Sequence, residues 1–210
     1  MPIEAVVLQL LALFFAVSFH ESAHGWVAWR FGDPTAKELG RISLNPLRHI
    51  DPVGSVLVPA LLAFTGAPVF GWAKPVPVSL ARTRRPRWKA NLFISAAGPV
   101  SNLLLAAAFA LVFFVLRPTE PPGVMHTLLL QLALFSVFIN VVLALFNLLP
   151  IPPLDGFGVV ESLLPRSAAP AAAWLRQYGM ILLVLLIFSG GLSWILRPPL
   201  LAVERWMLGS

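Results

Sequence analysis

The chain has 210 residues, of which 58% are hydrophobic and only 11% charged, with a formal net charge of +6 and a mean hydropathy of +0.84. A soluble domain carries about a quarter charged residues, so an ordinary soluble fold is excluded and a membrane protein is indicated. There is no cysteine, which excludes disulfides, thiolate metal sites and thiol nucleophiles. Any metal must be held by His, Asp or Glu. The basic excess fits Lys- and Arg-rich cytoplasmic loops, with no nucleic acid partner required.

The first apolar segment covers about 5–31. Its first basic residue is Arg30, and a polar cluster occupies 20–24. A signal peptide needs a basic start and a small-residue cleavage site, so the segment reads as a retained transmembrane helix. The stretch 53–72 is apolar but contains Pro59, Gly66 and Pro68, which interrupt a helix. In 71–78, valine alternates with proline, predicting an extended or edge-strand segment. The run 82–89 is basic around Trp88 and suits anionic lipid at the interface. Further spans are predicted at about 90–116, 124–149 and 178–196, the last ending at Arg197-Pro198.

Charge bias decides what 53–72 does. If it spans, the Lys and Arg residues divide 7 to 8 between the two sides. If it dips in and returns, one side keeps only Arg117, Arg197 and Arg205, and the other holds the remaining 12. The positive-inside rule favours the second arrangement. The expected fold is an all-α polytopic membrane protein with about four spanning helices, a re-entrant segment and a short extended or β element. The N-terminus is expected outside. Residues 1–160 would form the core, and 161–210 a C-terminal region with one further span.

His20-Glu21-Ser22-Ala23-His24 is an H-E-x-x-H pattern. Residues four apart share one helix face, so both imidazoles can hold one zinc ion. Glu21, beside that face, can pass a proton from a water to a leaving amine. Ionisable groups at membrane depth are costly and mark function. Zinc needs a third protein ligand. Besides His49 and His126, the chain offers Asp155, at the end of Asn147-Leu148-Leu149-Pro150-Ile151-Pro152-Pro153-Leu154-Asp155-Gly156. Irregular backbone of this kind is tolerated in a membrane where it is buried in protein or faces water. With 53–72 re-entrant, His24 and Asp155 lie at the same, basic side. His24 is six residues before Arg30, about 9 Å along a helix, which puts the site shallowly inside the cytoplasmic face.

These motifs, with Ala97-Gly98-Pro99-Val100-Ser101-Asn102 and Gly40-Arg41-Ile42-Ser43-Leu44-Asn45-Pro46-Leu47, make the chain resemble the site-2 protease family. The likeness is to a compact prokaryotic branch without PDZ-like or CBS-like domains. The resemblance implies one Zn2+ on His20, His24 and Asp155, with Glu21 as general base. It implies that Asn147 contacts substrate or the developing oxyanion, although an interhelical hydrogen bond is an equal reading for it. Gly98 and Asn102 are expected to shape helix packing. It further implies a transmembrane protein substrate in the bilayer of a prokaryotic inner membrane. Val76 and Val78 are expected to hold the unwound substrate by strand addition. The alternative is a membrane zinc transporter or sensor without hydrolysis. Glu21 argues against it, because transport needs no base beside the metal.

Overall fold

The computed structural model describes residues 2–66, 71–117 and 123–209. In chain order the α-helices are α1 (Ile3–Arg30), α2 (Thr35–Glu38), α3 (Val58–Thr65), α4 (Arg87–Leu116), α5 (Val124–Asn147), α6 (Asp155–Leu163), α7 (Ala169–Phe188) and α8 (Gly191–Leu208). Four helical stretches are long and apolar enough to cross a membrane: Ile3–Arg30, Arg87–Leu116, Val124–Asn147 and Arg166–Phe188. The chain is an integral membrane protein. Large apolar side chains such as Leu104, Leu111 and Val115 stay exposed along one flank of α4, which suits lipid and not water.

The core is a triangle of α1, α4 and α5, each packed on the other two. Ala12 and Ala16 on α1, Ala106 and Ala110 on α4, and Ala133 on α5 are all buried. Without hydrophobic drive inside lipid, small residues let helix backbones approach closely enough for dispersion to hold them. Phe113, Val137, Val141 and Met207 fill the remaining space, so the end of α8 completes the core built by α4 and α5.

The first three spans lie where the sequence puts them. The fourth does not. The stretch 178–196 is broken at Gly190, whose φ of +76° lies in the left-handed region, and the fourth stretch long and apolar enough to cross is Arg166–Phe188, which contains α7. Arg176, two residues before the expected start of that span, lies inside α7 and pairs with Glu161. Nor do Arg197 and Pro198 end a helix: α8 continues through Pro198 and Pro199 to Leu208. The two prolines remove two donors without stopping it.

Among the described residues there is no β-strand, so the expected edge strand is absent. Residues 71–79 run without a regular repeat. Pro75 and Pro77 offer no N–H, and the backbone around them pairs with side chains and with the His49 carbonyl, which accepts from Lys74 N at 2.8 Å. Arg41 Nη2 donates to the carbonyls of Lys74 (2.6 Å) and Pro75 (3.4 Å), and Val76 N donates to Glu21 Oε2 at 2.8 Å. In the preceding stretch, Pro52–Leu57 forms a wide helical turn leading into α3. Trp72 N donates to Gly54 O at 3.0 Å, and Ser55 Oγ to Trp72 O at 2.9 Å. Residues 67–70, part of the predicted 53–72 segment, lie outside the described residues.

Asp33 staples the following loop to the end of α1. It is fully buried and accepts from Ser79 N (2.6 Å), Thr35 N (3.1 Å) and Thr35 Oγ1 (2.5 Å). Burial works to raise its carboxyl. The hydrogen bonds from Thr35 and Ser79, with nearby Arg82, outweigh burial and hold it below the ordinary carboxylate range. Its folded pKa is therefore depressed. Its stabilisation is complete above the unfolded value of about 4 and disappears as pH falls through the folded one. Asp33→Ala is expected to cost about 1–3 kcal/mol by leaving the part-buried donors of Thr35 and Ser79 without their acceptor. Thermal unfolding in detergent between neutral and acid pH checks this, with the gap between wild type and variant closing in acid.

Candidate metal centre

His20 and His24 are one turn apart on α1, and both are buried. Their Nε2 atoms lie 3.1 Å apart. Asp155, the first residue of α6, places its Oδ2 3.1 Å from His20 Nε2 and 3.3 Å from His24 Nε2. Ligand atoms about 2.0–2.2 Å from a tetrahedrally held zinc stand about 3.3 Å from one another. Among the described residues these three form the group able to hold a metal ion.

The hydrogen bonds behind the rings explain why a cation fits. His24 Nδ1 lies 2.6 Å from the Ile94 carbonyl oxygen. His20 Nδ1 lies 2.6 Å from Asn102 Oδ1. These oxygens only accept, so each Nδ1 carries the proton and each Nε2 presents a lone pair. Asp155 Oδ2 faces both and is buried without a hydrogen-bond partner. Three lone pairs converging out of water are costly, and a divalent cation satisfies them together.

Close approach depends on glycine. A Cβ on Gly98 would lie 2.4 Å from His24 Nε2 and 2.5 Å from His20 Cε1. On the other side, a Cβ on Gly156 would lie 2.2 Å from the Leu148 carbonyl oxygen, so the turn that brings Asp155 in needs glycine next to it. Asn91 Nδ2 fastens α6 to α4 through Gly158 O (3.0 Å) and Ser162 Oγ (2.9 Å).

Glu21 is half-buried next to the histidines, and its Oε2 is held by Val76 N. Val76 is buried, and Val78 packs against Ala28, Ala90 and Ile94. Asn147 ends α5 and donates its amide to Leu143 O in its own helix at 2.9 Å. His49 contacts Ser43 O and His126 contacts Leu116 O, so neither joins the cluster. Sequence reasoning assigned Asn102 to packing. The structure adds its bond to His20. The signal available was a polar residue inside an uncharged span one turn from Gly98.

The sequence model of peptidase family M50 matches residues 122–187. The Bacillus subtilis protein that carries the name zinc metalloprotease YwhC is 39% identical over 201 residues, covering 95% of this chain and 88% of the relative. The chain belongs to the site-2 protease family, peptidase family M50. Two mycobacterial members named zinc metalloprotease Rip2 agree. The one from Mycolicibacterium smegmatis is 30% identical over 187 residues, and the one from Mycobacterium tuberculosis 31% over 192. Each match covers 89% of this chain and 69% of the relative. No solved structure gives a significant match. As a member of this family the chain is a zinc metalloprotease of the membrane.

Gly98→Ala is expected to push both imidazoles aside and weaken metal binding roughly tenfold or more, the scale of disturbances just outside a metal's ligands. Metal content of the purified protein, with helicity by circular dichroism as control, checks it.

Proposed function

We propose that this protein hydrolyses peptide bonds within or beside transmembrane segments of other membrane proteins, with zinc on His20, His24 and Asp155 and Glu21 as general base. One observation carries the reading: Asp155 Oδ2, buried without a hydrogen-bond partner, faces both Nε2 atoms at 3.1 and 3.3 Å. When bound, zinc supplies the positive charge that polarises a carbonyl and acidifies a water. Glu21 takes the proton of the attacking water and delivers it to the leaving amine. Val76 N–H holds one carboxylate oxygen, so the other is aimed for that transfer.

Pro75 and Pro77 keep the strap in front of Glu21 extended. In this reading Val76 and Val78 offer it to an unwound substrate stretch. Asn147 turns from the Leu143 carbonyl toward the substrate oxygen, where an amide donor stabilises developing charge. The bonds between Trp72 and residues 54–55 support a segment that enters the membrane and returns. That topology puts the site at the cytoplasmic side of a prokaryotic inner membrane, with the N-terminus outside. All proposed site residues fall in the core, 1–160.

The test uses the full chain in lipid vesicles with a panel of single-span membrane proteins. Glu21→Gln is expected to keep its zinc and lose roughly 100- to 10,000-fold in cleavage rate, the range for a general base. Undiminished cleavage would remove Glu21 from that role. Asp155→Ala is expected to lose zinc, and a full zinc complement would sink its assignment as ligand. Wild type that binds zinc yet cleaves nothing on the panel would favour the transporter or sensor reading.

A further inference from the structure

Behind His20 a line of buried amides runs across the core. His20 Nδ1–H donates to Asn102 Oδ1 at 2.6 Å. Asn102 Nδ2 donates to Asn140 Oδ1 at 2.8 Å and to the Ala16 carbonyl at 3.3 Å. Asn140 Nδ2 donates to the Ser136 carbonyl at 2.8 Å. Asn102 and Asn140 are both completely buried. The line joins α1, α4 and α5 at membrane depth, where an unmet polar group is expensive.

The line has one direction. Backbone carbonyls only accept, so Ser136 O fixes Asn140 with its amide nitrogen toward Ser136 and its oxygen toward Asn102. That oxygen and the Ala16 carbonyl fix Asn102 with its nitrogen toward both. Asn102 can then present only its oxygen to His20. Reversing Asn102 would oppose oxygen to oxygen twice and set an amide N–H against His20 Nδ1. His20 would then have to accept there and carry its proton on Nε2, where a metal would bind.

We propose that Asn140, with Asn102, is a positioning residue that fixes the Nδ1–H tautomer of His20 and thereby sets the affinity for zinc. The inference rests on His20 as a ligand. Asn140 touches neither His20 nor the metal position. It acts through the orientation of Asn102. Each donor in the line also polarises the next, which makes His20 Nε2 the better electron donor.

The experiment measures zinc affinity of the full-length chain in detergent by chelator competition. It is combined with 15N NMR of labelled imidazoles in the zinc-free protein, which distinguishes the two tautomers. Wild type is expected to show His20 with its proton on Nδ1. Asn140→Leu is expected to bind zinc roughly tenfold or more weakly, the effect of losing an outer partner, and to show both tautomers. Asn140→Ser, whose hydroxyl bonds back to Ser136 and falls short of Asn102, gives the same result with less disturbance of packing. Asn140→Asp, held neutral by its burial, donates its O–H to the Ser136 carbonyl, keeps an acceptor toward Asn102 and is expected to hold near wild-type affinity. A purely structural role would lower thermal stability in Asn140→Leu and leave zinc affinity and tautomer unchanged, which overturns the proposal. So does wild-type His20 protonated on Nε2, whatever the variants do. A wild type that binds no zinc overturns the metal reading, and this proposal falls with it.

Discussion

Three electron pairs meet in this protein where water is scarce. His20 Nε2, His24 Nε2 and Asp155 Oδ2 sit within 3.3 Å of one another, and among the described residues no hydrogen bond satisfies the carboxylate oxygen. Such a cluster is stable only with positive charge at its centre. Much of the chain exists to bring it together. The alanine-lined triangle of α1, α4 and α5 brings the backbones close, Gly98 leaves space under the rings, and Gly156 lets the irregular segment after α5 turn back toward α1.

The same cluster explains the polar residues inside otherwise apolar helices. Each histidine needs a partner on Nδ1, or its tautomer is undefined. His24 uses a backbone carbonyl, Ile94 O. His20 uses Asn102. A side chain brings its own two donors into the membrane, and these in turn need acceptors. One buried imidazole therefore commits polar groups on three helices.

The sequence makes a good deal of this legible, for physical reasons. The spacing of His20 and His24 reads directly, because helix periodicity places them on one face. Asp155 reads only together with His20 and His24, because a zinc site needs a third protein ligand, and by itself it is a turn residue before Gly156. The first three spans read because nothing polar or helix-breaking ends them early. The fourth is misplaced because Gly190, whose positive φ breaks 178–196, reads in a linear string as one more small residue in an apolar run. Asn102 is read as packing because its meaning depends on a residue 82 positions away. The strap at 71–79 reads as extended. Its partners, Glu21, Arg41 and His49, are side chains and backbone from distant segments, which no periodicity reveals.

The lower end of α1 is held from several sides at once. His20 reaches Asn102, Glu21 reaches Val76, Ser22 exchanges hydrogen bonds with Ser43, and His24 reaches Ile94. Four of five consecutive positions thus reach three different parts of the chain, α4, the loop at Ser43 and the strap at Val76, and the helix can neither slide nor rotate there without breaking them. Its N-terminal half carries exposed Val6, Leu10, Leu11 and Phe14 along its surface. A bilayer thicker or thinner than the apolar length of α1 must be accommodated by tilt, bending or lipid deformation. In this molecule that adjustment falls on the N-terminal half, so changes in membrane thickness are absorbed away from His20, His24 and Asp155.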